Sequence, residues 1–278
     1  MLETAIIKCS KYKCYFNKKE LIINMNIEKE KEYLIDLIYT ITFDENRFKV
    51  MISNEKYLCG VVTSNICECN PLSKIAQYRT IYSTVFDLSI KIRWSLLEAI
   101  SFAYSDSVIK QWGNLEPSGD EEDFAYYFIE NAVYRIISLW DMLAQFYRIH
   151  YSVKVEKTKL YYKSFFEQKG KTNDEILTSE ALNLKEIRCY INQTDLTDTE
   201  GEWKGNHAFV KKIRDMLVHR NEPNITTFSD FDVNIKHHPI YMLKRICEDY
   251  AVVSKFLNDI IVLSETEEFY ELKDLLDN

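Results

Sequence analysis

The chain has 278 residues, among them 6 glycines and 4 prolines, and a formal net charge of -8. That length suits one or two domains with a sizeable core. Scarce glycine and proline disfavour a turn-rich sheet protein, and the acidic balance argues against nonspecific coating of nucleic acid while leaving room for a local basic groove. Residues 1–10 lack the basic and then apolar pattern of a secretory signal, and no apolar run nears the roughly 18 residues of a bilayer span. Together with 7 cysteines, an odd number, this gives the expectation of a cytoplasmic protein with reduced thiols and no membrane contact.

Residues 1–70 are the least regular part and read as a small irregular or α+β segment. Apolar stretches at 13–16 and 21–23 flank Asn17-Lys18-Lys19 and predict a hairpin. Leu34, Ile35, Ile38 and Ile41 predict a helix over 27–42, followed by two short strands at 48–52 and 57–62 around Ser53-Asn54-Glu55. Cys9, Cys14, Cys59, Cys67 and Cys69 lack the paired spacing of a zinc site, since Cys67-Glu68-Cys69 is too tight, and read as structural or incidental.

Asn70-Pro71 marks a boundary, and residues 71–278 read as a mainly α domain. A helical stretch over 72–111, broken once, offers Trp94, Leu97, Ile100 and Phe102 to a core. The loop 117–123 ends in acidic residues that favour a helix start, and the helix from 124 to about 151 carries the broad apolar face Phe128, Ile129, Val133, Ile136, Ile137, Trp140 and Leu143. Its polar positions Glu130, Asn131, Arg135 and Asp141 either line a site or sit in solvated pairs. A shorter amphipathic segment follows at 154–166, then a turn at 170–173, a helix at 174–190, a polar run to 205, a loop at 221–238, a closing helix at 239–263 and a frayed acidic tail.

Nucleotide-binding glycine loops, H-E-x-x-H and G-x-S-x-G are absent. His237-His238 beside Pro239 reads as a loop feature, and His150 and His207 have no partner at helical spacing. Residues 205–223 read as one short, complete helix, with Asn206 as N-cap, Asn221 and Pro223 as stop, and Val210, Ile213 and Leu217 as its apolar face. Arg214, Asp215 and His219 lie off that stripe. Asp215 and His219 are i, i+4 and share a face, with Lys211 one turn earlier. The carboxylate suits holding the imidazole in one orientation, and the last helical turn favours positive charge there. Arg214 lies about 140° around the helix from His219. An imidazole to move protons and a guanidinium to neutralise phosphoryl oxygens suit phosphodiester chemistry. Lys204, Lys211, Lys212, Arg214 and Arg220 make this a basic island, opposed by Asp215. Trp203 and Phe209 suit either base stacking or the core.

The run Arg214-Asp215-Met216-Leu217-Val218-His219 resembles the Arg-polar-x₃-His signature of the HEPN superfamily (higher eukaryote and prokaryote nucleotide-binding). Glu130-Asn131, Tyr134-Arg135 and Trp140-Asp141 resemble the first core helix of its bacterial members, and the likeness covers about residues 75–263. It implies an up-and-down helical bundle and a homodimer with two motifs facing across the interface. The implied activity is a metal-independent endoribonuclease, without cofactor, acting as a toxin or anti-phage (abortive infection) effector. In such enzymes the 2′-hydroxyl attacks the adjacent phosphate and leaves a 2′,3′-cyclic phosphate. By matching position Arg214 and His219 are the catalytic pair and Asp215 the supporting polar residue. Lys211, Lys212, Arg220 and Asn221 are candidates for binding RNA, and Glu130, Asn131 and Asp141 for supporting the site from the earlier helix. An antitoxin or regulatory partner is also implied. Asn221, however, stands where toxins silenced by a nucleotidyltransferase antitoxin commonly carry tyrosine. The alternatives are a noncatalytic HEPN-like module that binds a nucleotide or protein, and an unrelated helical scaffold.

Overall fold

The computed structural model describes residues 27–52, 55–57, 71–113, 115–156, 160–168, 176–195, 205–219, 223–228 and 233–277. The hairpin expected at 13–23, the turn at 170–173 and the cysteines at 9, 14, 59, 67 and 69 lie outside them. In chain order the elements are α1 (Ile27–Thr40), β1 (Val50–Ile52), β2 (Glu55–Tyr57), α2 (Pro71–Ala103), α3 (Asp106–Gln111), α4 (Asp120–His150), α5 (Tyr162–Glu167), α6 (Leu184–Ile191), α7 (Asn206–His219), β3 (Thr227–Phe228), β4 (Val233–Asn234) and α8 (Pro239–Asp277). The protein is mainly α. Its described strands form two antiparallel pairs, with Val50 opposite Tyr57 and Thr227 opposite Asn234.

Helix boundaries follow local chemistry. Pro71 opens α2, where a missing N–H costs nothing. The break expected within 72–111 falls at Tyr104-Ser105, where the Ser105 hydroxyl accepts the Val108 N–H at 3.4 Å and caps α3. Helix α4 starts before residue 124 because Asp120, Glu121, Glu122 and Asp123 occupy its first turn, while Arg148 stands in its last; both ends complement the macrodipole.

Helices α2, α4 and α8 pack together, α7 lies against α4 and α8, and α1 lies against α2 and α8. Ile75, Val85, Ile92 and Ala99 of α2 meet Ile129, Ile136 and Leu143 of α4 and Leu243, Val253 and Leu257 of α8 in one buried cluster. Each such Val, Leu or Ile contributes about 1.5–3 kcal/mol by leaving water. Leu34 and Ile38 of α1 join the same cluster, and the Phe48 ring stacks on Tyr78 at 5.3 Å. No described helix is long and apolar enough to cross a membrane.

Three expectations change. Trp94 is 60% exposed, its ring edge-on to Phe128, because the buried line of α2 runs through Ile92, Leu96, Ala99 and Ala103 and passes it by. The helix expected over 174–190 is only α6. Asn183 takes a left-handed φ of 52°, and the Leu182 N–H donates to the Tyr151 hydroxyl at 2.8 Å instead of to a helix. The acidic tail is not frayed: α8 continues to Asp277 because its polar groups reach back into the fold. Glu265 accepts from Arg47 at 2.6 Å and from the Phe48 N–H at 2.7 Å, Glu268 pairs with Lys74 at 3.0 Å, and Ser264 bonds His150 at 3.1 Å.

Candidate functional site

The entry to α7 sets the site. The Phe209 N–H donates to the Gly205 carbonyl at 2.9 Å, so the helix is entered at Gly205. The Gly205 N–H donates to the Asp195 carboxyl at 3.1 Å. A Cβ on Gly205 would come within 2.9 Å of the Asp195 nitrogen, so only glycine lets the incoming strand approach this closely. Asn206 is not a side-chain cap. Its amide spans to α8, donating to Glu248 at 2.7 Å and accepting from the Arg245 Nε at 3.1 Å.

From that start the helical period sorts the side chains of α7. Val210 and Ile213 enter the core, and Leu217 is partly buried against it. His207 and Arg214 fall on the flank towards α4 and α5, and Phe209 on the opposite flank towards α8. Ala208, Lys212, Asp215 and the backbone position of His219 share the open line between them.

Arg214 is largely buried, with 21% of its side chain exposed, and one of its terminal nitrogens meets Asp215 at 3.2 Å. Its Nε has no hydrogen-bond partner among the described residues. Asp215 looks towards the helix start, accepting Lys211 Nζ at 2.6 Å. Asp141 of α4 completes this group. Burial pushes its carboxyl above the usual range, while the Tyr162 N–H at 3.1 Å and the nearby Arg214 charge pull the other way. Arg214, Asp215, Lys211 and Asp141 are thus brought together. Glu130 accepts from Asn224 at 2.7 Å, tying α4 to the segment after α7. Asn131 stays with its own helix, donating to the Tyr127 carbonyl at 2.8 Å and accepting from Arg135 at 3.1 Å. Helix α7 ends at His219; the His219 side chain, Arg220 and Asn221 lie outside the described residues, as do Trp203 and Lys204.

Sequence reasoning missed two constellations. In the first, the Tyr162 hydroxyl meets His207 Nε2 at 2.8 Å, His207 Nδ1 meets the Asp249 carboxyl at 3.2 Å, and Trp140 Nε1 donates to the same carboxyl at 3.3 Å. All four residues are at most 1% exposed, so this chain of polar groups joins α4, α5, α7 and α8 and meets no substrate. The available signal was Asp249 itself, a carboxyl inside the apolar stripe of Ile246, Tyr250 and Val253.

The second is a cleft of about 290 Å³ on the Phe209 flank of α7. Arg245, 1% exposed, forks onto Asp195 with two bonds of 2.8 Å, donates to the Tyr241 hydroxyl at 2.8 Å, and lies 4.4 Å over the Phe209 ring. The rings of Phe209, His237 and Tyr241 are 5.5–5.6 Å apart, and Lys212 stands exposed at the rim. Burial first, then the Lys212 and Arg245 charges, pushes the His237 imidazole down to about 4, so it is neutral at neutral pH. Neighbouring His238 accepts the Ile240 N–H at 3.1 Å and packs on Trp112, which makes it part of the entry to α8. Among the described residues no group of three or more His, Cys, Asp or Glu is placed to hold a metal ion.

Comparison with known proteins finds no family model, no curated protein and no solved structure that matches this chain.

Proposed function

We propose that the chain is a metal-independent endoribonuclease of HEPN type, acting in the cytoplasm as a toxin or anti-phage effector. Arg214 and His219 are its catalytic pair, and a homodimer presents two copies of the motif to RNA. His219 takes the proton of the attacking 2′-hydroxyl and passes it to the 5′-oxygen that leaves, and Arg214 neutralises charge developing on the phosphoryl oxygens. The observation that carries the reading is the state of Arg214. It is a largely buried guanidinium with an unpartnered Nε, held beside Asp141 and Asp215 on the same short helix that ends at His219. A preorganised cation with part of its side chain open suits an incoming phosphate.

The test is incubation of the purified protein with RNA in EDTA, beside the Arg214→Ala and His219→Ala variants. The expected result is wild-type scission leaving 2′,3′-cyclic phosphate ends, with each variant slower by at least a hundredfold. No scission by the wild type, or equal scission by the variants, overturns the proposal. The second reading is a noncatalytic module that binds a nucleotide or a protein. The cleft beside Phe209 favours it, and it is marked by thermal stabilisation with a nucleotide and no strand scission.

A further inference from the structure

The Arg214 group uses one flank of α7; the cleft occupies the other and has no part in the chemistry above. We propose that this cleft is a subsite for one unpaired nucleobase of the RNA, next to the phosphodiester presented to Arg214 and His219; this rests on the ribonuclease reading.

Size limits the occupant first. At about 290 Å³ the cleft lies at the lower edge of small-molecule sites. It has room for a base and part of its sugar, and little for a length of peptide. Its walls suit a flat ring. His237 and Tyr241 offer aromatic surface, backed by Phe209 with Arg245 over its ring, and bases of any identity stack on aromatic faces. Its edges are polar. The Asp195 carboxyl, 41% exposed, retains accepting capacity for an exocyclic amine, and the neutral His237 ring brings no charge of its own.

Position and charge then connect the cleft to the reaction. Lys212 shares the open line of α7 with His219 and lies seven residues before it, roughly 10 Å along the axis. A strand laid along that line passes the cleft within a short span of His219. The Arg245 charge is spent on Asp195, so among the described residues the rim cation at the cleft is Lys212, suited to one backbone phosphate. The wall is also fixed in advance, since Arg245 bonds Asp195, Asn206 and Tyr241 at once, and a preformed wall lowers the ordering cost of binding.

The experiment measures initial cleavage rates on short oligoribonucleotides that carry an abasic ribose at one position at a time. Wild type is compared with Lys212→Ala, whose exposed position leaves folding intact, and with His237→Leu. In the wild type, one position near the cut is expected to raise KM about tenfold when abasic, with kcat within about twofold. In His237→Leu the same abasic ribose is expected to cost less than about threefold, because the base has lost its wall. Thermal melting with each nucleoside 5′-monophosphate gives a readout independent of scission: the melting temperature rises, and less so in Lys212→Ala. If RNA is cut but no abasic position matters and no mononucleotide shifts the melt, the subsite is overturned and the ribonuclease stands. If RNA is never cut but mononucleotides stabilise the protein through Lys212, the ribonuclease reading fails and the cleft is confirmed as a nucleotide site.

Discussion

Asp249→Ala is expected to unfold the protein far more readily than its small change in volume implies. In the folded chain the Asp249 carboxyl accepts from Trp140 Nε1 at 3.3 Å and faces His207 Nδ1 at 3.2 Å, and every participant is at most 1% exposed. Alanine leaves two buried polar groups without that partner, each costing about 1–3 kcal/mol, and the Tyr162–His207 bond loses its anchor. The expected sum is about 3–5 kcal/mol, within the range for removing one member of a buried pair. It is a large share of the roughly 5–15 kcal/mol that holds a domain together. Urea denaturation followed by circular dichroism reads it directly. With a slope near 3 kcal/mol per molar, the midpoint falls by about 1–1.7 M. Asp249→Asn, which keeps one accepting oxygen, is expected to lose less than half as much. The reasoning is refuted if Asp249→Ala loses less than about 1 kcal/mol, or if its effect and that of His207→Ala add within about 0.5 kcal/mol, since contacting partners must couple.

Lys236→Met removes the cation that bonds buried Glu122 at 2.7 Å and is expected to lower the melting temperature by about 8–15 °C; adding Glu122→Gln recovers most of that loss. His237, held down to about 4 against about 6.5 unfolded, stays neutral while the unfolded chain takes up a proton, so its contribution to stability is present above pH 6.5 and is lost as pH falls towards 4. Relative to His237→Gln, wild type is expected to lose up to about 3 kcal/mol over that interval in urea titrations at stepped pH; burial lowers His150 as well, with the same sign, and His150→Gln isolates its share. Mixing inactive Arg214→Ala and His219→Ala chains is expected to restore about a quarter of the wild-type sites if each site takes Arg214 from one copy and His219 from the other, because half the dimers are mixed and one of their two sites is whole. No restored cleavage of RNA refutes that shared arrangement.

Much of the fold was legible because periodicity and end signals agreed. The apolar stripe of α4 and its acidic first turn both pointed to one long helix, and Pro71 opened α2 where a boundary was expected. What escaped notice depended on contacts distant in sequence. The tail beyond residue 263 looks solvated until Glu265 meets Arg47, 218 residues away, and Glu268 meets Lys74. Trp94 looks like core because hydrophobicity carries no sign of which face a neighbour covers. At the site, the order along α7 was readable, and helical spacing offers Asp215 both Lys211 and His219, each four residues away; Lys211 stands at 2.6 Å, and the His219 side chain lies outside the described residues. His207 was passed over because its partners, Tyr162 and Asp249, lie 45 and 42 residues away.

The pairing of Asp215 changes how the motif is to be understood. Asp215 joins Lys211 to Arg214, so its charge works on the guanidinium, while the His219 side chain lies outside the described residues. Asp141 does the same from α4, which leaves Arg214 a preorganised cation whose charge is already partly matched. An incoming phosphate must therefore compete with two carboxyl groups for Arg214, and a second copy of the chain offers a way to win that competition by adding its own cations from Lys211 and Lys212. The angle between the motif residues points the same way. About 140° separates Arg214 from His219 around α7, and Arg214 sits on the flank covered by α4 and α5. One phosphate reaches both residues of a single helix only by bending round it, whereas in the proposed homodimer it would meet the Arg214 of one copy and the His219 of the other. Restored cleavage on mixing the two variants is the result that this proposed arrangement predicts.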